Sequence, residues 1–287
     1  MTTRSMISFD WAMKRLLRSK ANFAILEGFL SELLRRKIKI KNILESESNK
    51  ETKEDKYNRV DILVEADEKE LVIVELQFYS QYDYFQRMLY GASKAIVEHI
   101  HEGEEYAQIR KVYSINIVYF DLGIGDDYVY HGVSNFKGLH THDELQLDDK
   151  QKELYNKTFI GDLYPEYYIL KVKNFDDVAK NTLDQWIYYL KNNKIQDEFT
   201  AQGLDAARKV LAYDNMSDEE KQEYAYKIKM RRINNSEIFT ARYEGRYEGR
   251  AEGEEERLKL QQVIVEKDKS LADKDREIEE LKKQLGK

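Results

Sequence analysis

Cysteine is absent from the 287 residues, which excludes disulfide frameworks, thiolate zinc sites and cysteine nucleophiles. Proline occurs once, at Pro165, so proline-rich linkers are excluded and glycine is left to punctuate the chain. No apolar run approaches the ~18 residues of a membrane span, and the N-terminus lacks the apolar core of a signal peptide. The expectation is a soluble, cytoplasmic chain with no membrane partner. A global basic field is missing too: the formal net charge is -7, so any contact with nucleic acid has to be local or assisted by a metal ion.

What is present is enough for a core. Hydrophobic residues make up 41% and charged residues 35%, and the length suits one large or two ordinary domains. The apolar spacing of Phe23, Leu26, Phe29, Leu30, Leu33 and Leu34 predicts an amphipathic helix over residues ~20–36. Val60 to Val64 and Leu71 to Gln77 are rich in β-branched residues and are joined by Ala66-Asp67-Glu68-Lys69-Glu70, which predicts a hairpin. Phe85, Met88, Leu89, Ala92, Ala95 and Ile96 predict a helix, and Val112 to Phe120 a buried strand. A strand over Tyr167–Val172, a helix through Trp186, Ile187 and Leu190 and a helical segment over ~198–238 follow. This order is that of an α/β domain with a mixed sheet flanked by helices.

Apolar strands usually exclude charge, yet Asp61 sits between Val60 and Ile62, and Glu75 directly follows Leu71-Val72-Ile73-Val74. A three-residue loop, Asp67 to Lys69, would place Ala66 opposite Glu70 and Asp61 opposite Glu75. Facing residues on paired strands lie about 5 Å apart at Cβ, and strand alternation puts Gln77 on the same face as Glu75. Two carboxylates at that spacing repel by roughly 3 kcal/mol at an effective dielectric of 20. A shared proton, a basic neighbour or a hard divalent cation would relieve the repulsion. Oxygen ligands suit magnesium or manganese, and Gln77 stands where a neutral polar group can orient a water or hold a phosphate oxygen.

At these residues, Val60-Asp61-Ile62-Leu63 and Ile73-Val74-Glu75-Leu76-Gln77, the sequence resembles the core of the PD-(D/E)XK nuclease superfamily. More closely, it is similar to the Rpn-type recombination-promoting nucleases and transposases, in which E-x-Q replaces E-x-K. Phe9-Asp10-Trp11-Ala12-Met13-Lys14 resembles the D-x-x-F-K opening of that family, with Met13 in place of phenylalanine. Arg87 to Tyr90 resembles its R-x-x-Y helix, and Gly103-Glu104-Glu105-Tyr106 with Ile115-Asn116-Ile117 its G-x-x-Y and following strand.

The resemblance implies a restriction-endonuclease-like fold and a metal-dependent DNA endonuclease that hydrolyses phosphodiester bonds, associated with recombination or mobile elements. It makes Asp61 and Glu75 ligands of Mg2+, with Mn2+ as the other candidate ion, and Gln77 the replacement for the catalytic lysine. Asp10 and Glu47 are additional acidic candidates. Arg87 is a further candidate, a basic one, placed to approach the scissile phosphate or to pair with an acid. A catalytically inactive DNA-binding or oligomeric scaffold protein with the same fold is the alternative.

His99/His101 and His140/His142 read as surface or turn residues rather than a transition-metal site. Lys14, Arg15, Arg18 and Lys20, with Arg35, Arg36, Lys37, Lys39 and Lys41, form basic clusters that either track a phosphate backbone or are a solvated face. Arg87 and Lys94 are expected on a helix face opposite the Met88/Ala92/Ala95 stripe.

The composition changes near residue 240. Tyr243-Glu244-Gly245-Arg246-Tyr247-Glu248-Gly249-Arg250-Ala251-Glu252-Gly253 is a four-residue repeat whose glycines and stacked like charges predict a weak helix or hinge. Beyond it, Ile264, Leu271, Ile278 and Leu285 recur every seventh residue, with Leu260, Lys267, Lys274 and Leu281 between them, which predicts a short coiled coil and a homo-oligomer. The expected organisation is a nuclease-like domain over 1–195, a helical extension over 196–240, the repeat over 241–255 and a coiled-coil helix over 256–287.

Overall fold

The computed structural model describes residues 23–44, 62–100, 103–210, 212 and 216–284. The first helix, α1 (Phe23–Leu34), buries Phe23, Ile25, Leu26, Phe29, Leu30 and Leu33, as its spacing requires. Arg35 takes a left-handed backbone, φ 52°, and the chain turns into an extended segment ending in β1 (Ile40–Leu44). Two polar residues of α1 clip this segment in place. Ser31 Oγ accepts from the Ile38 amide at 2.9 Å, and Glu27 Oε1 accepts from the Ile40 amide at 2.9 Å. The second Glu27 oxygen meets Lys39 Nζ at 2.7 Å.

The hairpin has the expected register. β2 (Ile62–Ala66) and β3 (Leu71–Gln77) run antiparallel, with Ile62 facing Val74, Leu63 facing Ile73, Val64 facing Val72 and Glu65 facing Leu71. A single 3-10 turn, Asp67–Lys69, connects them, and the Ala66 amide donates to the Glu70 carbonyl at 2.8 Å. β3 then pairs in parallel with β4 (Val112–Val118) after helix α2 (Tyr84–Glu98). β5 (Val129–Gly132) and helix α3 (Asp149–Tyr155) precede β6 (Glu166–Lys171). The sheet has six strands in the order β1-β2-β3-β4-β6-β5, with β3, β4 and β6 parallel and the outer pairings antiparallel. Parallel pairing between β3 and β4 demands a crossover, and α2 supplies it.

α2 lies on the face of β3 that carries Leu71 and Ile73. Ala92 and Ala95 pack there with Leu63, Leu71, Ile73 and Val112, while Tyr84 and Met88 pack with Val118, Phe120 and Leu122. The expected Met88/Ala92/Ala95 stripe is buried, while Phe85 and Leu89, two other apolar positions of the helix, are exposed. Val72, Val74 and Leu76, on the other face of β3, are buried as well, which explains why this strand reads as a continuous apolar run.

Helices α4 (Thr182–Asn192) and α5 (Leu204–Val210) pack with α1. Phe29 meets Trp186 edge-on at 5.6 Å, and Trp186 Nε1 donates to the Gln202 carbonyl at 3.1 Å. A Cβ on Gly28 would lie 2.2 Å from that same carbonyl oxygen, so only glycine permits the approach. The chain divides between Met216 and Ser217, and α5 belongs to the first unit because α1 and Trp186 hold the segment leading into it.

Among the described residues, the second unit is formed by one helix, α6 (Asp218–Gln284). It begins with a reciprocal cap, in which the Glu220 amide donates to Ser217 Oγ at 3.2 Å and the Ser217 amide to Glu220 Oε2 at 2.8 Å. The repeat at 241–255, expected to be a weak helix or hinge, is continuous helix. Glu, Arg and Ala between the glycines are strong helix formers, and spaced pairs such as Arg257–Glu254 and Lys259–Glu255 support the turns that follow. Leu260, Ile264, Leu271, Ile278 and Leu281 are all exposed along it.

Candidate active site

Glu75 lies near the C-terminal end of β3, where strand alternation aims it at α2. It is buried, only 6% exposed, in a setting where an ionised carboxylate requires compensation. Arg87, one turn into α2, supplies a positive charge: its Nε stands 3.3 Å from Glu75 Oε2. Arg87 Nη1 also donates to Gln81 Oε1 at 3.3 Å. Of the two expectations for Arg87, approach to a phosphate or pairing with an acid, the structure shows the pairing. This turns Arg87 to the sheet, whereas Lys94 pairs along the helix with Glu98 at 3.6 Å.

Gln77 follows Glu75 by one pleat, is partly exposed, and donates from Nε2 to the Tyr79 carbonyl at 3.2 Å. On the neighbouring strand, Asn116 is in register with Glu75 and 1% exposed. Its Oδ1 accepts from the Tyr84 hydroxyl at 3.2 Å, and its Nδ2 donates to Ser114 Oγ at 3.0 Å and to the Ser114 carbonyl at 3.1 Å. The polar floor beside Glu75 was not read as part of the site from sequence. The signal was there, since Ser114 and Asn116 interrupt an apolar strand on a single face.

Asp61, Asp10 and Glu47, and the opening Phe9–Lys14 motif, lie outside the described residues. Of the expected site set, Glu75, Gln77 and Arg87 are thus brought to one side of the sheet. Among the described residues, no group of three or more His, Cys, Asp and Glu side chains is placed to hold a metal ion. His99 Nδ1 bonds the Ala95 carbonyl oxygen at 2.9 Å, and His142 occupies a turn, its amide donating to Gly138 at 3.1 Å.

The described part of the basic cluster is largely neutralised. Lys39 pairs with Glu27, Lys41 with Asp67 at 3.2 Å, and Arg36 with Glu70. The Arg36–Glu70 pair belongs to a second polar group, on the face of the sheet away from Glu75. There Tyr113 lies beneath Arg36, 5.4 Å from ring centre to guanidinium. Burial, reinforced by the charge of Glu70, pushes the Tyr113 phenol up to about 12. Next to it, Glu166 accepts from Lys111 Nζ at 2.8 Å and contacts His131 Nε2 at 2.9 Å. Burial raises the Glu166 pKa, but these hydrogen bonds and charges together outweigh burial and hold it below the ordinary value. Lys111 also donates to the carbonyls of Gly161 and Tyr164, so this group ties the loop before β6 to the sheet.

A mixed sheet with a buried acid and a following glutamine on its hairpin arm, covered by a crossover helix, defines a restriction-endonuclease-like α/β domain. The family model for PD-(D/E)XK nuclease family transposases matches residues 7–241, and the chain belongs to that family. Comparison with curated proteins found no match, and comparison with solved structures found none either.

Proposed function

We propose that the protein is a metal-dependent DNA endonuclease that hydrolyses phosphodiester bonds, acting in recombination or in the movement of genetic elements. The observation that carries this reading is Glu75: a buried acid at the end of β3 with Gln77 one pleat beyond it, in a chain of the nuclease family. Asp61 and Glu75 would hold the ion. The donors are all oxygen, which fits Mg2+ and, equally by chemistry, Mn2+. When bound, such an ion lowers the pKa of a water and neutralises charge on the phosphate.

The chain's own groups divide the remaining work. Gln77 can donate to a phosphate oxygen or accept from a water, but, being neutral, it cannot supply the charge of the lysine in an E-x-K motif. Arg87 brings a permanent charge to the same side of the sheet. Asn116 and Tyr84 keep the floor of the site rigid by hydrogen bonding to each other. With DNA as substrate, the cytoplasm is the expected compartment. Among the described residues, no helix is long and apolar enough to cross a membrane. The exposed heptad positions of α6 fit a homo-oligomer, which would supply two sites for cutting two strands.

Plasmid nicking with Mg2+, Mn2+ or EDTA tests the reading directly. Cleavage by the wild type that EDTA stops, and that Asp61→Ala and Glu75→Ala both abolish, is the expected result. Cleavage that survives both substitutions refutes the site. A wild type that binds DNA without cutting it, with either ion, favours the scaffold alternative.

A further inference from the structure

Arg87 and Glu75 face each other in a setting that excludes most water, with the guanidinium Nε 3.3 Å from the carboxylate. A guanidinium so placed gives a buried carboxylate the compensation that a divalent ion would give it. The two cations are not additive. An ion bound to Glu75 would meet Arg87 as a like charge at short range, where repulsion is strong. Arg87 is also engaged through Nη1 by Gln81, which leads into α2, so its charge is anchored from both sides.

We propose that Arg87 is a built-in counter-cation of Glu75 that competes with the divalent ion for the carboxylate, and that a phosphate of the nucleic acid takes up the guanidinium once the ion has displaced it. This rests on the nuclease reading and adds a mode of regulation to it. The ion alone binds against the cost of displacing Arg87, while a phosphate removes that cost by offering the planar guanidinium two anionic oxygens as a charge-matched partner. Metal and nucleic acid therefore bind with positive cooperativity, each strengthening the other by the same factor. Metal-loaded protein without substrate is correspondingly scarce.

The test is Mn2+ binding to the full-length protein, read from the electron paramagnetic resonance of the free ion. R87Q is expected to bind Mn2+ about tenfold more tightly than the wild type, in the ordinary range of coupling energies. R87K, whose ammonium cannot reproduce the guanidinium geometry, shows an intermediate tightening and carries the test if R87Q does not fold. A short phosphorothioate DNA strand tightens Mn2+ binding to the wild type and has a smaller effect on R87Q. Unchanged or weaker Mn2+ binding in the folded Arg87 variants overturns the competition. E75Q separates the two ideas: loss of Mn2+ binding in E75Q with no tightening in R87Q removes the competition alone, whereas unchanged binding in E75Q removes the metal site itself.

Discussion

The Tyr84 hydroxyl donates to Asn116 Oδ1 at 3.2 Å, joining the first turn of α2 to the strand beside Glu75. Both residues are essentially inaccessible to solvent. Removing one partner leaves the other as a buried polar group, which costs about 1–3 kcal/mol. Asn116→Leu is expected to lose roughly 3 kcal/mol, because Ser114 Oγ and two backbone carbonyls lose a donor as well. Tyr84→Phe is expected to lose about 1 kcal/mol. Urea unfolding of the two single variants and the double variant measures their coupling, expected to exceed about 0.5 kcal/mol. Additive losses would show that the hydrogen bond contributes nothing.

Gly28 and Gly245 are both helical glycines, yet their surroundings predict opposite responses to alanine. A Cβ at Gly28 would lie 2.2 Å from the Gln202 oxygen, a backbone atom that cannot rotate away. Gly28→Ala should therefore destabilise the first unit by about 3 kcal/mol through overpacking, seen as a lower urea midpoint. A Cβ at Gly245 meets nothing within 4 Å, so Gly245→Ala should gain up to about 1 kcal/mol of helix stability. Circular dichroism melting of α6 measures that gain.

Glu166 gives stability a pH dependence of defined sign. Its folded-state pKa lies below the ordinary 4.5 despite burial, because Lys111 and His131 hold the charged form. Its contribution is therefore present above about pH 4.5 and is lost as the pH falls through the depressed folded value. Glu166→Gln should cost about 3 kcal/mol at neutral pH by stranding Lys111. Unfolding midpoints at a series of pH values should show the gap between wild type and variant narrowing below about pH 4.5. A gap that widens on acidification would contradict the assignment.

The heptad of α6 makes a prediction about mass. Leu260, Ile264, Leu271, Ile278 and Leu281 are exposed on the helix, and a second helix covering them would bury a continuous seam. Removing residues 256–287 should convert the oligomer to a smaller species in light scattering, with the helical content of the first unit kept. An unchanged mass defeats the proposal.

The hairpin and its register were legible because the signals are local. β-branched runs flank Asp67-Glu68-Lys69, and once the turn length is known, every pairing from Ala66–Glu70 to Ile62–Val74 follows. β1 was less legible. Ile38-Lys39-Ile40-Lys41 alternates as a strand should, but its lysines read as part of a basic cluster. The acids that neutralise them, Glu27 and Asp67, come from α1 and from the hairpin turn. β5 is four residues long, with no buried side chain to mark it.

The succession of α1, the hairpin, α2, β4, β6 and α4, the facing residues of the hairpin, the alternation that puts Glu75 and Gln77 on one face and the heptad of the tail were all determined by the sequence itself. Each is a matter of spacing within a few turns or one pleated ribbon, where backbone geometry leaves a single period available. Only the tertiary structure decided that Arg87 turns inward to Glu75, that Asn116 stands beside it and that Gly28 meets Gln202. Those relationships join segments brought together by a parallel crossover or by helix packing, and no local period records which distant residue will arrive opposite.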